Sequence, residues 1–207
     1  MENQWLAYAK RLQAIASTGL HYTKDEFDRE RYREIGEIAN GMLAELGNVP
    51  IGRIQGLVSE FAKGYATPKV DVRGALIEDG KILLVRERSD NRWSLPGGFA
   101  DVGRSASENV TKEIQEEAGI SVSVRSLYAV RHKAKGNYEP DARDFYKLFF
   151  LCDREDGDQP TAGQETIEAG FFPRFQLPEL SLARVTSDDI EAAFAFNESA
   201  APMVTFD

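Results

Sequence analysis

The sequence predicts an α+β protein, with a small domain of three helices over residues 1–66 ahead of a mixed β-rich body over 67–207. Two observations carry that reading. Up to Gly64 the apolar residues recur every three or four positions, the period of a helix with one buried face. After Thr67-Pro68 they gather instead into short β-branched and aromatic runs broken by turn residues. Length allows it: against a typical domain of roughly 150, 207 residues make one elaborated domain or a standard one plus a small appendage.

In order along the chain, Trp5, Tyr8, Ala9, Leu12 and Ile15 place a first helix over 4–16, with Gly19 as its stop. Thr23-x-x-Glu26 has the spacing of a capping box for a second helix, whose face of Phe27, Ile35, Ala39, Met42, Leu43 and Leu46 runs to Gly47. Pro50 opens a third helix with Ile51, Ile54, Leu57, Val58 and Phe61, closed by Gly64. Helices this few cannot bury much surface by themselves, so they are expected to pack on the body or on a second subunit. In the body, Val70–Ile77 and Ile82–Val85 flank Asp79-Gly80, a hairpin signal. Further strands are expected at Val122–Val130, Phe145–Cys152 and Glu168–Phe172, and one long helix near 106–118.

Charge divides unevenly. Residues 1–66 hold 8 basic and 9 acidic side chains, while 67–207 hold 17 and 25, almost all of the net −9. That balance excludes binding to nucleic acid through a basic surface and sends the search for a cation site to the second part. The single Cys152 excludes an internal disulfide framework and suits a reducing cytoplasm. The opening MENQWLAYAK predicts no secretory leader, and no apolar run approaches the roughly 20 residues that span a bilayer.

The chemistry is concentrated in 97–120. Ser105 and Glu108 have capping-box spacing and Gly119 is a natural C-cap, which bounds a helix. At about 100° per residue, Glu116 and Glu117 fall within about 60° and 40° of Glu113, while Val110, Ile114 and Ala118 turn toward the core. Three carboxylates on one helix side repel by several tenths of a kcal/mol per pair. A solvated surface tolerates that; so does a divalent cation, and hard oxygens of this kind suit Mg²⁺ or Mn²⁺. The entry loop Trp93-Ser94-Leu95-Pro96-Gly97-Gly98 favours the cation, because it delivers the chain through a rigid, close-approach turn into the acidic helix.

This segment resembles the Nudix hydrolase box: a glycine, five residues, Glu, seven residues, then Arg-Glu-aliphatic-x-Glu-Glu-x-Gly-aliphatic. Gly98, Glu113, Ile114, Glu116, Glu117, Gly119 and Ile120 match in register. Arg104 stands where the first Glu is expected and Lys112 where the Arg is expected. The helical front, together with Leu-Pro-Gly-Gly-Phe-Ala-Asp-Val-Gly ahead of the box, is similar to a Nudix subfamily with its own N-terminal domain, which includes CDP-choline pyrophosphatase-like enzymes.

The resemblance implies an α/β/α sandwich with a mixed sheet and hydrolysis of the pyrophosphate bond in a nucleoside diphosphate linked to X, a CDP-choline-like or ADP-ribose-like compound, giving a nucleoside monophosphate. It implies Glu116 and Glu117 as main metal ligands, Glu113 as a ligand directly or through water, and a homodimer through the N-terminal helices. Gly97 and Gly98 would form the turn against the site. The general base would be Glu113 or, from the loop before the last strand, Glu165. Arg104 cannot hold a cation, so the expectation is either a lower metal count than in some relatives or a ligand recruited from elsewhere, and Lys112 keeps a charge contact without the bidentate fork of Arg.

An acidic site also needs positive contacts for phosphate. Arg86 and Arg88 follow a strand toward the Gly97-Gly98 turn, and Arg73 and Lys147 alternate with apolar neighbours on strands; these four, with Gly97 and Gly98 of the turn, are the substrate-binding candidates. His132 lies in a basic loop and is read as solvated. Tyr138 and Phe99 are candidates for stacking on a base, whereas Trp93 is read as packing. The competing function is a non-catalytic nucleotide-sensing Nudix-fold regulator, against which the near-neutral, non-basic front speaks.

Overall fold

Asn3 opens the first helix by accepting the Trp5 amide on its side chain, and the computed structural model describes residues 3–59, 65–155 and 157–207. Helix α1 (Gln4–Tyr22) runs past Gly19, which therefore does not stop it. The reason is packing: a Cβ on Gly19 would strike the Tyr32 ring of α2 (Glu26–Gly47), so the glycine marks a close crossing. The capping box expected at Thr23 and Glu26 does not form. Thr23 ends α1, and Asp25 caps α2 by accepting the Asp28 amide. Asn48, in the left-handed region at φ 47°, ends α2. Helix α3 is Ile51–Ser59; the expected Phe61 and Gly64 lie outside the described residues.

Two compact units emerge, Met1–Lys69 with Glu139–Phe145, and Val70–Tyr138 with Tyr146–Asp207. The first has a small core of Ala9, Leu43 and Ile54. Trp5, Tyr8, Leu12 and Ile15, the stripe that periodicity assigns to the buried face of α1, are exposed, as are Phe27 and Leu46 of α2. A few helices of this size bury little surface by themselves.

In the second unit, β1 (Lys69–Glu78) and β2 (Lys81–Glu87) join through Asp79 at φ 47° and Gly80 at φ 71°. Glu78 opposite Lys81 makes this a two-residue hairpin of the kind the sequence signals. Strands β3 (Trp93–Ser94) and β4 (Gly97–Phe99) follow, then helix α4 (Ala106–Ala118). Next come β5 (Val122–His132), β6 (Phe145–Arg154), β7 (Thr166–Pro173), helix α5 (Ser187–Glu198) and β8 (Thr205–Phe206). The sheet runs β3-β2-β1-β6-β5-β8, with β4 beside β1 and β7 beside β2. It is mixed: β5 and β8 are parallel, while β2 and β7 are antiparallel.

Strand periodicity places a core on each face of the sheet. Leu83, Val85, Val72, Leu76, Phe150 and Cys152 pack with Val110, Ile114 and Ala118 of α4. Their neighbours Ile82, Leu84, Ala75, Phe149 and Leu151 pack with Ile190, Ala193 and Phe194 of α5. The result is the α/β/α sandwich. Helix α5 has no counterpart in the sequence reading, although Thr186 and Asp189 form a complete capping box that marks its start. No helix among the described residues is long and apolar enough to cross a membrane.

Candidate active site

The acidic helix is held at both ends by the devices its sequence contains. Ser105 Oγ accepts the Glu108 amide at 3.2 Å and Glu108 accepts the Ser105 amide at 2.7 Å. Gly119, at φ 68°, closes the helix. The last carbonyls of α4 then find partners in the loop ahead of β7. Thr161 donates its amide to Ala118 O, and Thr166 Oγ1 and the Gly163 amide donate to Glu117 O. A Cβ on Gly163 would strike the Glu116 carbonyl, so the loop seats only with glycine there. This docking carries Glu165 close enough for its charge to act on Glu113.

Once α4 is fixed, its three glutamates meet three different environments. Glu117 is 5% exposed and accepts the Gly97 amide at 2.8 Å. Burial pushes its carboxyl up to about 8, a rise that Arg73 and the Gly97 amide oppose and Glu87 and Glu113 reinforce. Glu113 is half-buried beside Gly98, whose absent Cβ would stand 3.1 Å from Oε2. Burial raises its carboxyl as well, against the pull of Lys112. Glu116 is exposed and pairs with Lys112 Nζ at 3.0 Å. Lys112 also lies 3.6 Å from Glu113 and 3.4 Å from Asp101, so its single ammonium lies among three carboxylates.

Arg73 and Lys147 are not on an open cleft wall. They lie beneath the site, 3% and 1% exposed, on either side of Asp71. Arg73 donates from Nε and Nη2 to the two Asp71 oxygens at 3.0 Å each and from Nη1 to Leu95 O at 3.1 Å, while Lys147 donates to Asp71 at 2.8 Å. Glu87, 3.9 Å from Arg73, accepts the Ser94 hydroxyl. The structure thus brings Arg73, Gly97 and Glu117 together, and Gly98 and Glu113 together, with Glu165 acting on Glu113 through its charge. Arg88 is occupied in bracing the docking loop, donating to Gln164 O and Thr166 O. Arg86 is engaged by Asn91 O and, at 3.4 Å, by Glu168. Tyr138 is buried with its hydroxyl on Asp189, and Trp93 packs on Phe172, whereas Phe99 is exposed.

Sequence reasoning missed Asp71, Glu87, Asp101 and Thr166. A signal existed for the first: Asp71 and Arg73 alternate with valines in an otherwise apolar strand, and a buried strand carries charge only when it is paired.

Among the described residues, no group of three His, Cys, Asp or Glu side chains stands gathered for a metal ion. The donor chemistry nonetheless fits one. Two carboxyls of the helix are held out of water at a cost, and hard oxygens in that state are stabilised by a divalent cation. Lys112 already places positive charge between Glu113 and Glu116.

The turn into this site tolerates no side chain. Gly97 sits at φ 146°, and a Cβ there would strike the Val72 carbonyl and press on Arg73. Gly97→Ala is expected to cost at least about 3 kcal/mol, backbone strain and overpacking together, read as a lowered urea midpoint with an unchanged slope.

An α/β/α sandwich with a glycine turn feeding a carboxylate-bearing helix defines a hydrolase of phosphoric anhydrides. Residues 68–194 match the NUDIX domain, and residues 3–58 match the domain described as UDP-X-like, N-terminal oligomerisation domain. The chain belongs to the Nudix family and is a Nudix pyrophosphohydrolase. It is 43% identical over 95% of its length to YjhB of Bacillus subtilis strain 168, provisionally named an ADP-ribose pyrophosphatase, and covers 93% of it. Among solved structures, a UDP-X diphosphatase is 36% identical with 98% of each chain covered and a TM-score of 0.63. An ADP-ribose pyrophosphatase from Streptococcus suis is 38% identical over 68% of this chain and all of that one, with a TM-score of 0.62.

Proposed function

We propose that this enzyme hydrolyses the pyrophosphate bond of a nucleoside diphosphate linked to a second group, an ADP-ribose-like, UDP-sugar-like or CDP-choline-like substrate, and releases a nucleoside monophosphate. The observation that carries the reading is Glu117, buried on the Gly97 amide, with Glu113 and Glu116 on the same helix side. Glu113, Glu116 and Glu117 would hold Mg²⁺ or Mn²⁺. When bound, such a cation neutralises phosphate oxygens and lowers the pKa of its water. The chain's own residues do the rest. Gly97 lets the turn pack on β1 and give its amide to Glu117, Gly98 brings the turn against Glu113, and Glu165 or Glu113 takes the proton of the attacking water. Lys112 compensates the carboxylates before substrate arrives.

We assign residues 1–66 to homodimer formation through the N-terminal helices and 67–207 to catalysis. The exposed Trp5, Tyr8, Leu12 and Ile15 support the first assignment and the whole carboxylate cluster the second. The single thiol, Cys152, is buried and pushed up to about 12 by that burial, which supports work in the cytoplasm without disulfides. Purified protein incubated with ADP-ribose, UDP-glucose and CDP-choline in Mg²⁺ or Mn²⁺ is expected to release the monophosphate from at least one of them. No release from any overturns the proposal.

A further inference from the structure

Beneath the carboxylate helix the described residues contain a chain of buried polar groups that ends on Glu117. Lys147 of β6 donates to Asp71 at 2.8 Å, and Asp71 receives the Arg73 fork through both oxygens. The remaining arm of the guanidinium, Nη1, reaches Leu95 O at 3.1 Å. Leu95 and Pro96 form the short turn between β3 and β4, and Pro96 O is taken by the Gly74 amide at 2.9 Å. The next residue, Gly97, donates its amide to Glu117 at 2.8 Å. Both ends of this path are out of water: Arg73 is 3% exposed and Glu117 5%.

A guanidinium is planar and holds its donors in a fixed fork, so two arms locked on one carboxylate aim the third in a single direction. Here that direction is the Leu95 carbonyl. The turn cannot rock without breaking this bond or the one from Gly74, and the Gly97 amide is thereby aimed at one place. Arg73 also lies against Gly97, where a Cβ would stand 3.0 Å from its Cδ. A lysine at 73 keeps the charge for Asp71 but has one nitrogen on a flexible stem. It cannot hold Asp71 through two atoms and Leu95 O through a third.

We infer that Arg73 is a positioning residue: clamped by Asp71, which Lys147 in turn holds, it fixes the Leu95–Gly97 turn so that the Gly97 amide holds Glu117 in the orientation in which it binds a divalent cation. The inference rests on the reading of Glu117 as a metal ligand and adds the device that orients it. It also separates Arg73 from Arg86 and Arg88, because Arg73 acts through the turn and touches no substrate.

The test is Arg73→Lys in the full-length chain, with Arg73→Gln as a second variant. Arg73→Lys leaves Asp71 with positive partners, so its melting temperature is expected within a few degrees of wild type. Three readouts follow on the folded protein. The Gly97 amide is expected to lose at least tenfold of its protection from hydrogen exchange. The Mn²⁺ dissociation constant, measured by titration without substrate, is expected to rise tenfold or more. Turnover is expected to fall at least tenfold in kcat, with KM for the nucleotide substrate within about twofold. Arg73→Gln is expected to show the same losses more strongly.

A residue that only held the fold together would lower the folded fraction and leave the Mn²⁺ constant of the remaining molecules unchanged. Arg73→Lys with Gly97 protection or Mn²⁺ affinity within twofold of wild type overturns the inference, since it joins the two. If wild type itself binds no Mn²⁺ and hydrolyses no substrate, the metal-site reading fails, and this inference with it. If wild type does both and Arg73→Lys behaves identically, this inference alone fails.

Discussion

Glu117→Gln is expected to lower kcat by about three powers of ten or more, while the protein folds as well as wild type. The side chain is nearly isosteric and its amide oxygen still accepts the Gly97 N–H, so the turn keeps its bond. What disappears is the carboxyl group proposed to give up its proton and hold the cation. A metal ligand supplies several kcal/mol of transition-state charge stabilisation, and about 4 kcal/mol corresponds to about 1,000-fold in rate. A second readout separates lost metal binding from lost folding. Mg²⁺ or Mn²⁺ bound to the folded state only is expected to raise the melting temperature of wild type, by an amount that grows with the logarithm of one plus the ratio of free cation to Kd. That rise is expected to vanish in Glu117→Gln. Full activity or an undiminished metal-dependent rise in the variant would remove Glu117 from the ligand set. Glu116 is exposed and paired with Lys112, so Glu116→Gln should leave metal-free stability nearly untouched and show its cost in turnover.

Asp71→Asn is expected to destabilise the fold by about 3–5 kcal/mol, because it strands two buried cations. The amide oxygen still accepts at one position, but the fork of Arg73 loses its second acceptor and both cations lose the buried negative charge, with almost no solvent access for either. The pH dependence carries the same signature. Burial alone would raise the Asp71 carboxyl, but Arg73 and Lys147 outweigh it and bring it from 3.8 down to about 2. A carboxyl that is more acidic when folded stabilises the protein above its unfolded pKa. That contribution, about 2 kcal/mol, is therefore complete above pH 4 or so and is lost as pH falls from there toward 2. Asp71→Asn should lack this component. Urea midpoints between pH 5 and 2 check it: a variant whose stability falls with acid as steeply as wild type would contradict the assignment.

The legible parts of this chain were those written in local periodicity and spacing. The Asp79-Gly80 hairpin, the box helix with its Ser105–Glu108 cap and Gly119 stop, and the inward face of Val110, Ile114 and Ala118 depend on neighbours within a few residues. They stand where the sequence puts them. Local signals misled where distant packing took over. Gly19 reads as a stop, but it allows Tyr32 to cross inside a continuing helix. Thr23 has the right spacing for a cap, yet it is used up ending α1, so Asp25 takes that place. Helix α5 was legible in Thr186 and Asp189 but lay beyond the motif that drew the reading.

What the sequence determined by itself was the family of the chain, its acidic second part, and the three glutamates that share one side of α4. Their inequality is a tertiary property. Spacing puts Glu113, Glu116 and Glu117 on the same side and sets Lys112 one turn before Glu116, but it takes the approach of the Gly97 turn to bury Glu117. Spacing likewise makes Arg73, Lys147, Arg86 and Arg88 candidates for phosphate. The fold instead sinks the first two under the site on Asp71 and spends Arg88 on the docking loop. Periodicity within a strand or helix is set by backbone geometry and can be read one residue at a time. Burial and the partner of a charge depend on which distant segment arrives beside it, and only the folded chain decides that.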